Sequence, residues 1–221
     1  MIKAICFDFD DTLGNRKKAA YAMYKHILQD IVKVEVNDFE FEAILQDMVV
    51  WDQYGNTNKN YVKEKVLKKH GIVLPMGDFN EFWESNFWEY TELADDAIEV
   101  LDKLKMKYKI GMITNGPQDG QTKKIEAAGL LPYLDCLVVS GSYGVHKPDP
   151  HLFHEACKQL QVEPHETIYV GDTFSNDIFG AKRAGCLPIW ITNIKTAYCD
   201  TPIHKIEQLS DLINLLEEID K

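Results

Sequence analysis

An apolar run that ends abruptly in acids sets the terms for this chain: Ala4-Ile5-Cys6-Phe7 leads into Asp8-Phe9-Asp10-Asp11-Thr12-Leu13. Carboxylates beside a core strand are costly unless something cationic meets them. Asp8 and Asp10 lie two apart, so both project on the same side at the C-terminal end of the strand. One can attack an electrophile while the other handles a proton. The plain alternative is a strand end feeding an acidic turn.

After Leu13 the period becomes helical. Ala20, Met23, Tyr24, Ile27, Leu28 and Ile31 form a 3.6-residue stripe, predicting a helix over 17–33. Further helices are predicted over 38–51, 59–70 (stopped by Gly71) and 77–90, with no convincing strand between Asn15 and Tyr90. The expectation is an all-helical insertion over 15–92 within a core domain of 1–14 and 93–221.

From Asp95 strands and helices alternate. Strands are predicted over 109–114, 136–139, 167–170 and 187–191. Helices are predicted over 97–105, 121–128, 150–160 (capped by Asp149), 175–184 (with Ser175 as cap) and 209–219. Short Ile- and Val-rich strands separated by helices imply an α/β, doubly wound parallel sheet covered on both faces. Ligands of such sheets sit outside the carboxyl ends of the strands. Asp8 and Asp10, Thr114 and Asn115, Lys147 and Asp172 all fall at or shortly after such ends.

Composition narrows the partners. The 221 residues carry a formal net charge of -11 and show no basic stripe, so nucleic acid and anionic membranes are poor partners. A negative protein that handles an anion needs local positive charge, from a metal or a placed lysine. No apolar stretch approaches the roughly 20 residues of a membrane helix, and the N-terminus enters the first strand without a secretory leader. The five cysteines (Cys6, Cys136, Cys157, Cys186 and Cys199) are scattered, without CxxC, as reduced thiols in a cytoplasm would be.

These residues permit phosphoryl transfer. A carboxylate at Asp8 can attack phosphorus and form an acyl phosphate, splitting one hard displacement into two. Asp10 can protonate the departing oxygen and later deprotonate water. Asp172 and Asp177 add two more acids at another strand end, and four converging carboxylates need a cation. Magnesium suits them, since it takes oxygen ligands, usually one or two carboxylates with waters and phosphate. The expected ligands are the side chains of Asp8 and Asp172 and the main-chain carbonyl of Asp10, with Asp177 one layer out. Taken alone, Asp177 reads better as a helix-start acid. Thr114 offers a hydroxyl for a phosphoryl oxygen, though Thr114-Asn115-Gly116 reads equally as a turn. Lys147, in a loop stiffened by Pro148 and Pro150, can aim its ammonium at phosphate and at Asp8.

Together, Asp8-Phe9-Asp10-Asp11-Thr12, Ile113-Thr114-Asn115, Lys147-Pro148 and Gly171-Asp172 with Asp177 resemble, in order, the four motifs of the haloacid dehalogenase (HAD) superfamily. The resemblance implies an aspartyl-phosphate mechanism on a Rossmann-like core. It also implies that the insertion is a small four-helix cap, closing over the strand ends and selecting the leaving group. Asp10 resembles the phosphatase branch, because the true dehalogenases lack an acid at that spacing. The Thr-Asn-Gly stretch with Gln121 and Lys124-Ile125-Glu126 is similar to that of pyrimidine 5′-nucleotidases and N-acylneuraminate-phosphate phosphatases.

The expectation is therefore a Mg2+-dependent phosphatase. It acts on a nucleotide or sugar phosphate in the cytoplasm as a monomer or homodimer. Asp8 and Asp10 are catalytic; Thr114, Asn115 and Lys147 bind substrate. The alternatives are a haloacid dehalogenase-type hydrolase and a non-catalytic phosphate-binding or regulatory protein. His146, His151 and His154 read as surface histidines rather than a metal site. The aromatic group from Phe79 to Trp88 reads as core of the insertion. The loop from Trp51 to Asn56 is the better candidate for substrate contact.

Overall fold

The computed structural model describes residues 1–219, so positions 220 and 221 of the expected core domain lie outside the described residues. The chain forms two compact units, one of Met1–Gly14 with the chain from Leu93 onward, the other of Asn15–Glu92.

The first unit is built on six strands: β1 (Ala4–Phe7), β2 (Lys109–Thr114), β3 (Cys136–Val139), β4 (Thr167–Gly171), β5 (Leu187–Ile191) and β6 (His204–Ile206). All pairings are parallel, in the order β3-β2-β1-β4-β5-β6. The order in which strands are added switches sides between β1 and β4, the place where doubly wound sheets open a crevice for ligands. The acids that follow these two strands meet there.

Alternation along β1 shows why both faces are covered. Ile5 and Phe7 join one core cluster with Val100, Leu101 and Leu104 and with Leu212 and Leu216. Ala4 and Cys6 join a second with Leu152, Phe153, Ala156, Ala181 and Ala184. The helices of this unit, continuing the chain's numbering after the four of the insertion, are α5 (Ala97–Lys105), α6 (Gln118–Ala127), α7 (Pro150–Leu160), α8 (Phe179–Ala184) and α9 (Asp211–Ile219).

The second unit consists of α1 (Arg16–His26), α2 (Asp38–Asp52), α3 (Lys59–His70) and α4 (Phe79–Asn86) with short irregular turns. Each helix opens on a side-chain cap: Asn15, Asn37, Asn58 and Asp78 accept from backbone N–H groups two or three residues on. Its core centres on Tyr24, Phe79, Trp83 and Phe87 with Leu28, Leu45, Met48, Val62 and Val66.

Several boundaries depart from the sequence expectation. The first helix is regular only to His26, continues as a wide turn over Ile27–Val32, and ends at Lys33 in a left-handed conformation. The fourth becomes a 3-10 turn at Phe87–Tyr90. Gln118, not Gln121, begins α6, because Pro117 occupies the cap position. Thr173, not Ser175, occupies the position before this segment, without a side-chain capping bond: its N–H donates to Asp177 Oδ2 at 2.9 Å, and Phe174–Ile178 winds as a π turn ahead of α8. β6 escaped the reading because only Ile206 of its three residues is buried. Among the described residues, no helix is long and apolar enough to cross a membrane.

Candidate active site

Asp8 leaves β1 with its N–H still bonded to Val170 O of β4 at 2.9 Å, so the first acid is fixed by the sheet itself. The chain then turns sharply: Gly14 N donates to Phe9 O at 2.7 Å, and Asp11 adopts a left-handed φ of 58°, which Asp tolerates better than most residues. From β4, Asp172 follows Gly171, and Asp177 folds back against the strand end. A Cβ on Gly171 would meet Asp177 Cβ and Cγ at 2.5 Å, so only glycine admits this approach. Oxygens of Asp8, Asp172 and Asp177 lie within 4.8 Å of one another.

Lys147 enters this cluster as an almost fully buried cation. Its Nζ reaches Asp8 Oδ1 and Asp177 Oδ1, each at 2.7 Å, with Tyr169 Oη at 2.9 Å and Ile113 O at 3.0 Å. The Tyr169 hydroxyl in turn lies within reach of Ile113 O and Asp177 Oδ1. Asn115 holds the lysine's backbone at both ends: Oδ1 accepts Lys147 N at 2.8 Å and Nδ2 donates to Lys147 O at 3.2 Å. Thr114, 1% exposed at the end of β2, has a hydroxyl with no hydrogen-bond partner, as has the buried hydroxyl of Thr12.

One ammonium cannot balance three carboxyls, two buried and one half-buried. Burial pushes the Asp8 carboxyl up to about 8; Lys147 opposes the shift, while Asp177 and Asp172 add to it. Burial, then Asp177 and Asp11, push Asp172 up to about 7. Lys147 is raised because Asp177 and Asp8 outweigh the burial that would lower it. A divalent cation would supply the missing charge. Both Asp177 oxygens are taken, Oδ1 by Lys147 and Oδ2 by Thr173 N. Asp8 and Asp172 therefore remain as the side chains fit to hold a hard cation, and an all-oxygen donor set fits Mg2+.

The sequence matches the haloacid dehalogenase-like hydrolase profile over residues 5–191. The chain belongs to this family. Relatives span nearly the whole hydrolase. A glyceraldehyde 3-phosphate phosphatase of Methanopyrus kandleri is 29% identical, covering 100% of both chains. The N-acylneuraminate-9-phosphatase of Mus musculus is 32% identical over 99% of this chain and 95% of its own. The pyrimidine 5′-nucleotidase YjjG of Escherichia coli is 31% identical over 93% and 96%. The fold is shared with the HAD-hydrolase YfnB from Bacillus subtilis, solved bound to magnesium. Its TM-score is 0.76 at 22% identity, covering 97% of this chain and 98% of that one.

Around Asp10 the hydrolase has residues to which the motif reading gave no role. Lys124 of α6 donates to both Asp10 oxygens at 2.6 Å, and Gln121 Nε2 donates to Asp10 Oδ2 at 3.2 Å. Their i, i+3 spacing puts both on one face of α6, the signal that was available. Tyr169 was legible only as a polar atom between the apolar Ile168 and Val170 of its strand.

Proposed function

We propose that this hydrolase cleaves a small phosphomonoester through a phosphoryl-aspartate on Asp8. Phosphatase relatives along nearly the full chain make it a phosphoric monoester hydrolase. The covalent route, the metal and the substrate class are this proposal. The observation that carries it is the convergence of Asp8, Asp172 and Asp177 oxygens within 4.8 Å of one another, where Lys147 pairs with Asp8 and Asp177 and leaves a local surplus of negative charge.

In the first step an Asp8 carboxylate oxygen bonds to phosphorus as the bond to the leaving oxygen breaks. Asp10 gives that oxygen a proton, so an alcohol departs rather than an alkoxide. In the second, Asp10 takes a proton from water, which attacks the acyl phosphate and restores Asp8 with release of inorganic phosphate. Help of this acid-base kind is worth about a hundred- to ten-thousandfold. Asp8 and Asp172 side chains with the Asp10 carbonyl would hold Mg2+, which when bound supplies positive charge against the phosphoryl oxygens. Thr114 offers its unpartnered hydroxyl to a phosphoryl oxygen. Lys147 neutralises Asp8 and phosphate together, and Asn115 fixes the Lys147 backbone.

The named relatives point to sugar phosphates and nucleotides as the substrates to try. Five free thiols, four of them buried, agree with a cytoplasmic setting. Phosphate release from a panel of nucleotides and sugar phosphates, with Mg2+ and with chelator, tests the proposal. Turnover that survives complete chelation, or an Asp8→Asn variant of full activity, would reject it.

A further inference from the structure

Asp10 is held by groups that lie outside the four motifs. Lys124, 7% exposed, bonds both its oxygens at 2.6 Å. The same ammonium lies 5.1 Å from the centroid of the Phe9 ring, so it is boxed in by the residue before Asp10 and by Asp10 itself. Gln121, 6% exposed, donates to Asp10 Oδ2 and, at 2.7 Å, to Asn115 O. Gly116 makes room for that amide: a Cβ there would meet Gln121 Nε2 at 2.8 Å, and its φ of 142° favours glycine. One face of α6 thus ties Asp10 to the loop carrying Thr114 and Asn115.

A lysine placed only for stability is poorly spent in this way, since buried ion pairs roughly break even against apolar packing. An acid-base group, however, gains from being held in one orientation. When Asp10 passes its proton to the leaving oxygen, the O–H bond of the carboxylic acid breaks, one forms on the departing alcohol, and Asp10 becomes a carboxylate. An ammonium already in place stabilises that developing charge without reorganisation.

We propose that Lys124, braced by Gln121, is a positioning residue for Asp10 that acts on leaving-group protonation. This rests on the acid-base role proposed above for Asp10. Its signature is dependence on the leaving group. A p-nitrophenolate departs without a proton; an alkoxide does not. The quantity to read is kcat/KM, which covers the steps up to release of the leaving group. The probes are p-nitrophenyl phosphate and a primary alkyl phosphate, ribose 5-phosphate or glycerol 3-phosphate, whichever the wild type turns over faster. The ratio of the two within one preparation is insensitive to the fraction that folds.

Lys124→Met is expected to lower kcat/KM about a hundredfold on the alkyl phosphate and less than about threefold on p-nitrophenyl phosphate. Lys124→Arg is expected to recover most of the ratio, and Gln121→Leu to shift it in the same direction by less. Equal losses on both probes, no loss, a gain, or an arginine variant no better than methionine would overturn the proposal. Asp10→Asn, run alongside, separates the failures. If it discriminates between the probes and Lys124→Met does not, only the role of Lys124 is lost. If Asp10→Asn does not discriminate, both readings fall.

Discussion

Asp8 of the sheet unit and Asp52 of the helical unit are both buried, and they keep opposite company. Asp8 shares one lysine with Asp177 and lies beside Asp172. Asp52 sits between two cations, Arg16 Nη1 and Lys59 Nζ each at 2.6 Å, and also accepts from Tyr24 Oη and Gly55 N. Burial pushes both carboxyls up. For Asp8, with acids as neighbours, the net shift is upward to about 8. For Asp52, Arg16 and Lys59 reverse the effect of burial and hold the carboxyl below its usual range. Burial of a charge therefore does not by itself mark a reactive centre. A surplus of one sign, left for something else to balance, does. Asp52 is a clamp joining α1, α2 and α3; the Asp8 cluster is a socket.

The sharpest way to break this contrast is to remove each charge in place. Asp8→Asn is expected to lower turnover by ~10⁴-fold or more, the scale seen when a covalent nucleophile is removed, while urea unfolding of the metal-free protein moves little. Asp52→Asn is expected to do the reverse. It leaves buried cations without their carboxylate and costs about 3–5 kcal/mol of unfolding free energy. Asp172→Asn in metal-free protein should fall within about 0.5 kcal/mol of wild type or stabilise it, because it relieves repulsion. A large loss there would erase the distinction.

The two clusters also respond oppositely to pH. Asp8 and Asp172 have folded values above their unfolded ones. Their contribution is complete below the ordinary carboxylate range, ~4, and is lost as pH rises through about 7 and about 8 in metal-free protein. Asp52 is depressed, so its contribution is present above that range and is lost as pH falls through its folded value. Unfolding midpoints against pH, with and without Mg2+, check both. Mg2+ should raise the midpoint most near pH 8, where the acids repel, and a midpoint indifferent to Mg2+ there would contradict the account.

Losses smaller than that of Asp52 come from the tyrosines beside the two clusters. Tyr24 donates to Asp52 at 3.0 Å and Tyr169 lies 3.1 Å from Asp177. Tyr24→Phe is expected to cost about 1.5–3 kcal/mol, the worth of a hydrogen bond to a charged group, with turnover unchanged. Tyr169→Phe is expected to cost less, because Lys147 keeps Asp8, Asp177 and Ile113 O as partners.

Much of this was legible from residue patterns. Short Ile- and Val-rich strands alternating with helices gave the parallel sheet, the acids at strand ends pointed to their carboxyl ends, and an apolar stripe gave the first helix of the insertion. What escaped depended on side chains reaching across sequence. The bond from Thr173 N–H to Asp177 ahead of α8 could not be read from a cap rule that expected Ser175. Lys124, 114 residues from Asp10, looks like any helix-surface lysine until the fold buries it. Asn115, expected to meet substrate, spends its amide on the Lys147 backbone, which no local pattern reveals.

The central claim is that Asp8 becomes phosphorylated. Acid quench during turnover of a substrate labelled in its phosphoryl group, followed by peptide mapping, tests it directly. The account expects the phosphoryl group on the peptide bearing Asp8, lost on treatment with base or hydroxylamine and missing in Asp8→Asn. A quench that traps the label on another side chain, or on none while turnover proceeds, would contradict it.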